Sequence, residues 1–128
     1  MRCFSSLRAL LLMDAVSCTG LGAVLLVAPT TIGQWTDLPP GLLRGAGLAL
    51  VLIAAFMTMV ARAKVVPRGG AALVVAGNLL WAAASVLLPL IGVISPNALG
   101  LVVLLGQASF VTFLAWLEAR ALPPAVPA

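Results

Sequence analysis

The residues able to do chemistry are few, and they lie inside apolar sequence. Asp14 sits within Leu10-Leu11-Leu12-Met13-Asp14-Ala15-Val16, and Gln107 within Leu104-Leu105-Gly106-Gln107. Asn78 and Trp81 belong to Gly77-Asn78-Leu79-Leu80-Trp81, with Ser85 one helical turn further on. A carboxyl group in hydrocarbon costs ~2.5–3.5 kcal/mol on insertion scales, so it is kept for a function or satisfied by a partner. In the functional reading, Asp14 carries a proton or cation along a transport path. In the structural reading, it is a buried acid bonded to Asn78 or Gln107, or paired near the inner surface with Arg8, Arg62 or Lys64. Asn78 and Gln107 are residue types that join helices inside membranes, at ~0.6 kcal/mol per bond on average. Trp81 brings an indole N–H that needs a partner when buried. Asp14, Asn78, Trp81, Ser85 and Gln107 therefore form the candidate intramembrane polar site.

Other chemistries lack their parts. The chain has no histidine, which removes the usual imidazole–metal and haem ligands. Cys3 and Cys18 form no CxxC pair, and their places, one in the N-terminal tail and one inside an apolar block, do not suit a bridge. A metal held by Asp14 and Cys18 alone would be short of ligands. Redox or nucleophilic work at Cys18 would need a base or a second thiol nearby. The expectation is a non-enzymatic protein without cofactor or metal. A net charge of +4 does not point to nucleic acid, because the basic residues stand at the ends of apolar blocks, where lipid headgroups and topology account for them.

The elements that must position these groups follow from composition. The chain of 128 residues is 63% apolar and 8% charged, against about 45–50% and about 25% in soluble domains. Ten charged residues cannot clothe a soluble exterior, which excludes a soluble enzyme, a disordered tail and a disulfide-stapled secreted domain. Four blocks are long enough to span, at about residues 8–28, 42–61, 70–88 and 98–117. Each has about 19–21 residues, enough for ~30 Å of hydrocarbon at 1.5 Å per residue. They lack strand alternation, and in lipid only helices or closed barrels satisfy the backbone. The expectation is an all-α, four-helix transmembrane bundle forming a single integral membrane domain over residues 1–128.

The first block imitates a secretory signal in Arg2, Arg8 and Ala9–Met13. Asp14 interrupts its apolar region after five residues, where a signal core needs about 7–15, so the block is read as a retained helix. Pro29–Gly41 reads as a connection with Trp35 as interfacial anchor and Thr36 or Asp37 as caps. Residues 62–70 form a short basic loop, and Ile94-Ser95-Pro96-Asn97 a tight uncharged turn. Pro89 marks either a kink near an outward opening or the last turn of its helix. The segment from Leu122 to Ala128, with three prolines, is expected to be disordered.

Four spans put both termini and the middle loop on one side. That side collects Arg2, Arg8, Arg62, Lys64, Arg68 and Arg120, while the other holds only Arg44. The bias predicts cytoplasmic termini and a multi-pass protein of a cell inner membrane. Helical rise then puts Asp14 roughly 9 Å, Asn78 roughly 12 Å and Gln107 roughly 15 Å from the inner end, in one layer. Three faces are expected to point inward: Asp14, Ser17, Cys18 and Leu21; Asn78, Trp81 and Ser85; and Gly100, Val103, Gln107, Phe110 and Leu114. The second span has small residues spaced by four, Gly41 and Gly45, then Ala54 and Thr58, which suit close packing. Arg44 reads as snorkelling to headgroups or pairing with Asp37, and Glu118 and Arg120 as solvated end charges.

Several stretches carry a family likeness: Asp14-Ala15-Val16-Ser17-Cys18, Leu43-Arg44-Gly45-Ala46-Gly47, Gly77-Asn78-Leu79-Leu80-Trp81 with Ser85, Gly106-Gln107-Ala108 and Leu117-Glu118. In these the chain resembles small bacterial four-helix inner-membrane proteins of uncharacterised, DoxX-like type. The resemblance covers nearly the whole chain and implies a four-helix bundle, but no reaction. A second similarity is to small multidrug resistance transporters, which have four short helices and an essential carboxylate in the first, a place Asp14 could take. Those proteins use glutamate there, have aromatic-rich helices, and in their dual-topology members balance their basic residues; the six-to-one bias here opposes an antiparallel dimer.

The leading functional expectation is a non-enzymatic accessory protein, or a binder of lipid or a small apolar ligand. The alternative is a proton-coupled small-molecule transporter using Asp14. The bilayer is the expected partner, nucleic acid is not, and a homo-oligomer or a larger membrane complex stays open.

Overall fold

Runs of Leu, Val and Ala that must satisfy their own backbone in lipid become helices. The computed structural model describes residues 2–123, with side chains from Leu7 onward. It is all-α, with α1 Arg2–Val27, α2 Pro29–Thr36, α3 Pro40–Arg62, α4 Arg68–Leu90 and α5 Ala98–Arg120. Four stretches, Leu7–Val27 of α1 and the whole of α3, α4 and α5, are long and apolar enough to cross a membrane. Their outer surfaces suit lipid rather than water: Val16, Met59, Leu80 and Val102 are each 66–72% exposed. So extensive an apolar exterior is not tolerated by a soluble monomer. The chain is a multi-pass membrane protein.

The spanning helices start or end a few residues beyond the expected limits, since helical hydrogen bonding continues where hydropathy fades. The connection after α1 is itself largely helical. Ala28 breaks the chain, Pro29 starts α2 at the position where a missing N–H costs nothing, and Asp37 closes it with φ 58° and its N–H on Gly33 O. Thr36 and Asp37 thus belong to the end of α2 and cap no following helix; α3 begins after Pro39 without a side-chain cap. Asn97 joins α2 to α5. Its backbone N–H and Nδ2 donate to Thr36 O (3.0 Å) and Trp35 O (2.8 Å), while its Oδ1 accepts from Gly100 N (2.8 Å). Gly100 is required there, because a Cβ would lie 2.5 Å from Thr36 O.

The spans pack as two antiparallel pairs, α1 with α3 and α4 with α5. Gly22 and Gly47 bring the first pair together: a Cβ on either would stand 2.9 Å from the other's carbonyl oxygen. Gly41 and Gly45, expected to pack closely, have open space beside them, so the small-residue contact uses a different face of α3. Ala54 is buried, and Thr58 turns its hydroxyl back to Ala54 O. Across the pairs, α3 and α4 touch beside their connection, where a Cβ on Gly70 would meet Val60 Cγ2 at 3.0 Å.

Arg8 donates to Ala61 O, to Ala63 O (2.8 Å) and to Lys64 O (3.2 Å), closing the carbonyl end of α3 with a cation. Arg68 Nε donates to Pro123 O (2.8 Å). Leu122 is half-buried and Pro123 buried, so the expected disorder does not begin at Leu122; residues 124–128 and the side chains of Arg2 and Cys3 lie outside the described part. Pro89 is the next-to-last residue of α4, followed by Gly92 at φ 83°. Of its two readings, the last turn is the one realised.

Candidate functional site

On α1 the buried residues Leu7, Leu11, Asp14, Cys18 and Leu25 recur at the spacing of one helical face. The acid therefore points inward with the core leucines, at 1% exposure. On α4, Ala71, Val74, Asn78, Ala82 and Ser85 form the matching stripe. The two stripes meet at a hydrogen bond: Asn78 Nδ2 donates to Asp14 Oδ2 at 2.6 Å. The same nitrogen donates to Glu118 Oε1 at 3.0 Å. Cys18 Sγ, one turn along from Asp14, donates to Asp14 Oδ1 at 3.6 Å.

Glu118 is the residue that sequence reasoning missed. It is not a solvated end charge but fully buried, at 0% exposure, and its Oε2 has no partner among the described residues. After Arg120 the chain returns to α4, where Pro123 O accepts from Arg68 Nε, and Ala121 and Pro123 are themselves buried. A signal was present in the sequence: Gln107, Val111, Leu114 and Glu118 fall on one face by steps of four, three and four. Val103 and Phe110, expected on that inward face, are instead exposed at 43% and 45%. Arg120 is exposed, with its guanidinium 4.8 Å from the centre of the Trp116 ring.

Among the described residues both carboxyl groups thus take only neutral donors, the Asn78 amide and the Cys18 thiol. The cations expected to fold toward Asp14 go elsewhere. Arg8 serves carbonyls at and just beyond the end of α3, while Arg62 and Lys64 are exposed.

The remaining candidates form a second cluster rather than one layer with Asp14. Trp81 Nε1 donates to Gln107 Oε1 (2.9 Å), and Gln107 Nε2 donates to Ser85 Oγ (2.7 Å) and Leu104 O (3.0 Å). Ser85 Oγ donates back to Trp81 O at 2.9 Å. Gln107 is fully occupied by these bonds and makes none to Asp14. The split has a simple cause: an amide can serve only the groups its own turn of helix brings near. Ser17 faces outward and bonds Met13 O.

Two cavities adjoin the clusters. A small one of about 170 Å³ is bordered by Asp14, Trp81 and Gln107. A larger one of about 330 Å³ lies between α3 and α4, with Ile53, Phe56 and Leu73 among its apolar walls and Cys18, Asn78 and Trp81 bordering it. Cys18, Leu50, Trp81 and Val111 border both. Leu52 and Leu73, on the rim of the larger cavity, are 63% and 61% exposed, so it opens sideways, toward the lipid tails. Asn78 spends its nitrogen on the two acids, and its Oδ1 accepts no hydrogen bond from the described residues.

This arrangement can hold a proton between acids and can accept a hydrogen bond from a molecule in the groove. Among the described residues no group of three or more His, Cys, Asp or Glu is placed to hold a metal ion. No protein-family model matches the chain, and no curated protein or solved structure is found to be similar to it.

Proposed function

We propose that this chain is a non-enzymatic membrane protein that takes a small, largely apolar molecule from the bilayer into the groove between α3 and α4. The observation that carries this reading is the lateral cavity of about 330 Å³, apolar along its walls with Asn78 at its border. Its size is at the lower end of ligand sites, which run ~300–1,000 Å³. The ligand class that fits is a lipid-soluble molecule with one hydrogen-bond donor, directed at Asn78 Oδ1. Such a protein would serve as an accessory factor or carrier of that molecule. Gly77 borders the groove and has open space where a Cβ would stand, so Gly77→Phe fills the site without disturbing the bundle. Native mass spectrometry of protein released from nanodiscs tests the reading. A small apolar species retained by the wild type and lost in Gly77→Phe supports it; the same species on both, or on neither, refutes it.

A second reading, proton-coupled transport, draws support from Asp14 being buried beside another acid and next to a cavity. Uptake into proteoliposomes driven by a proton gradient and abolished by Asp14→Asn would favour it over passive binding. For topology, the reading is a bacterial inner membrane with both termini cytoplasmic. Arg8, Arg62, Lys64, Arg68 and Arg120 gather at one end of the bundle and Arg44 lies at the other, which the positive-inside rule places in the cytoplasm.

A further inference from the structure

Two acids from distant parts of the chain, Asp14 on α1 and Glu118 on α5, meet at one nitrogen of Asn78 on α4. One oxygen of each carboxyl group accepts from that nitrogen, Asp14 Oδ2 at 2.6 Å and Glu118 Oε1 at 3.0 Å, which sets the two groups side by side. Both are almost completely removed from solvent, and Glu118 Oε2 is buried without a partner. A carboxylate oxygen buried without a donor is costly to keep charged.

Among the described residues, the charged and titratable groups around the pair give that oxygen no donor. On α1, Cys18 is a neutral thiol donor, and Arg8 is spent on Ala61 O, Ala63 O and Lys64 O. On α3 and its following loop, Arg62 and Lys64 are exposed. On α4, Arg68 reaches Pro123 O, and on α5, Arg120 stacks on Trp116. Two like charges on adjoining carboxylates inside a membrane, with only neutral donors, are strongly disfavoured, and one proton removes the conflict. It turns one acid into a donor for the other, and Oε2 then gains a partner.

We propose that Asp14 and Glu118 together form a buried binding site for one proton, shared between the two carboxyl groups and oriented by Asn78. The pair carries a single negative charge. A second proton would turn another acceptor oxygen into a donor and release an Asn78 Nδ2 hydrogen, so the amide bordering the groove senses how many protons the pair holds. The site stands whether or not the groove is occupied.

Infrared spectroscopy of the full chain in bilayers at neutral pH tests this without any groove ligand. The expected result is one protonated-carboxyl C=O band in the wild type, altered in both Asp14→Asn and Glu118→Gln and unaltered in Ser109→Ala, whose hydroxyl bonds only Leu105 O on the exposed side of α5. No such band in the wild type, or a band left unchanged by either acid variant, overturns the proposal. Carboxyl ¹³C shifts of the wild type, read by solid-state NMR, give the same answer without a substitution. One acid-like and one carboxylate-like signal, or a merged intermediate pair, agree with a shared proton; two carboxylate signals do not.

Discussion

Replacing Asn78 with leucine changes the shape of the side chain little and removes its two bonds, one to Asp14 of α1 at 2.6 Å and one to Glu118 of α5 at 3.0 Å. Interhelical bonds in membranes average ~0.6 kcal/mol with a maximum near ~1.7 kcal/mol. A buried acceptor left without its donor costs about 1–3 kcal/mol. Two acids lose their donor at once here, so Asn78→Leu should destabilise the bundle by ~2–4 kcal/mol, a loss of well over tenfold in the folding equilibrium. The reasoning makes a sharper demand on the background. In a chain already carrying Asp14→Leu and Glu118→Leu, the same change orphans nothing, and its cost should fall below ~1 kcal/mol, because removing a whole buried polar set can be close to neutral. Reversible unfolding in bicelles, followed by circular dichroism across the four combinations, gives the coupling directly. A cost for Asn78→Leu that is the same in both backgrounds would refute the claim that the amide serves the two acids.

Other expectations concern packing, the groove and the topology. Gly47→Val should cost at least ~1–3 kcal/mol, because its Cβ meets Gly22 O at 2.9 Å, whereas Gly45→Val, beside open space, should stay within about 0.5 kcal/mol; thermal unfolding in detergent separates them. Gly100→Ala should loosen α2 from α5, since the added carbon would lie 2.5 Å from Thr36 O, and hydrogen exchange at the Asn97 amide should rise. A ligand of the groove should bind with an affinity that changes with pH in the wild type and not in Glu118→Gln, measured by titration in nanodiscs. Reporter fusions after Pro123 should read cytoplasmic and fusions in α2 periplasmic; the opposite pattern would reverse the threading.

Much of the scaffold was legible because hydropathy is a one-dimensional signal. Spans of apolar residues bounded by Pro39-Pro40, by the arginines of the middle loop and by Pro96-Asn97 admit one architecture. α2 was hidden by its proline and glycine, which read as punctuation although Pro29 is a helix starter and Gly33 lies against the Leu38 carbonyl, where a Cβ would be 2.8 Å away. Asp14 and Asn78 were legible as inward-facing polar groups, since period alone places them on buried stripes. That they bond each other, while Gln107 turns to Trp81 and Ser85, depends on the relative heights of helices, which no single-helix pattern encodes. Glu118 was misjudged for the same reason. Its place two residues before Arg120 says end of helix, whereas α5 carries it inward onto the Asn78 amide. The close glycines were likewise a matter of rotation: Gly45 and Gly47 are two residues apart, and only Gly47 faces α1.

The junction of three helices at one side-chain amide can be measured most directly as distances between the Asn78 side-chain nitrogen and the carboxyl carbons of Asp14 and Glu118, by solid-state NMR on selectively labelled protein in bilayers. Both carbons should lie within hydrogen-bonding range of the nitrogen in the same molecule. Dephasing from only one acid, or from neither, would contradict the buried pair and with it the reading of this bundle's interior.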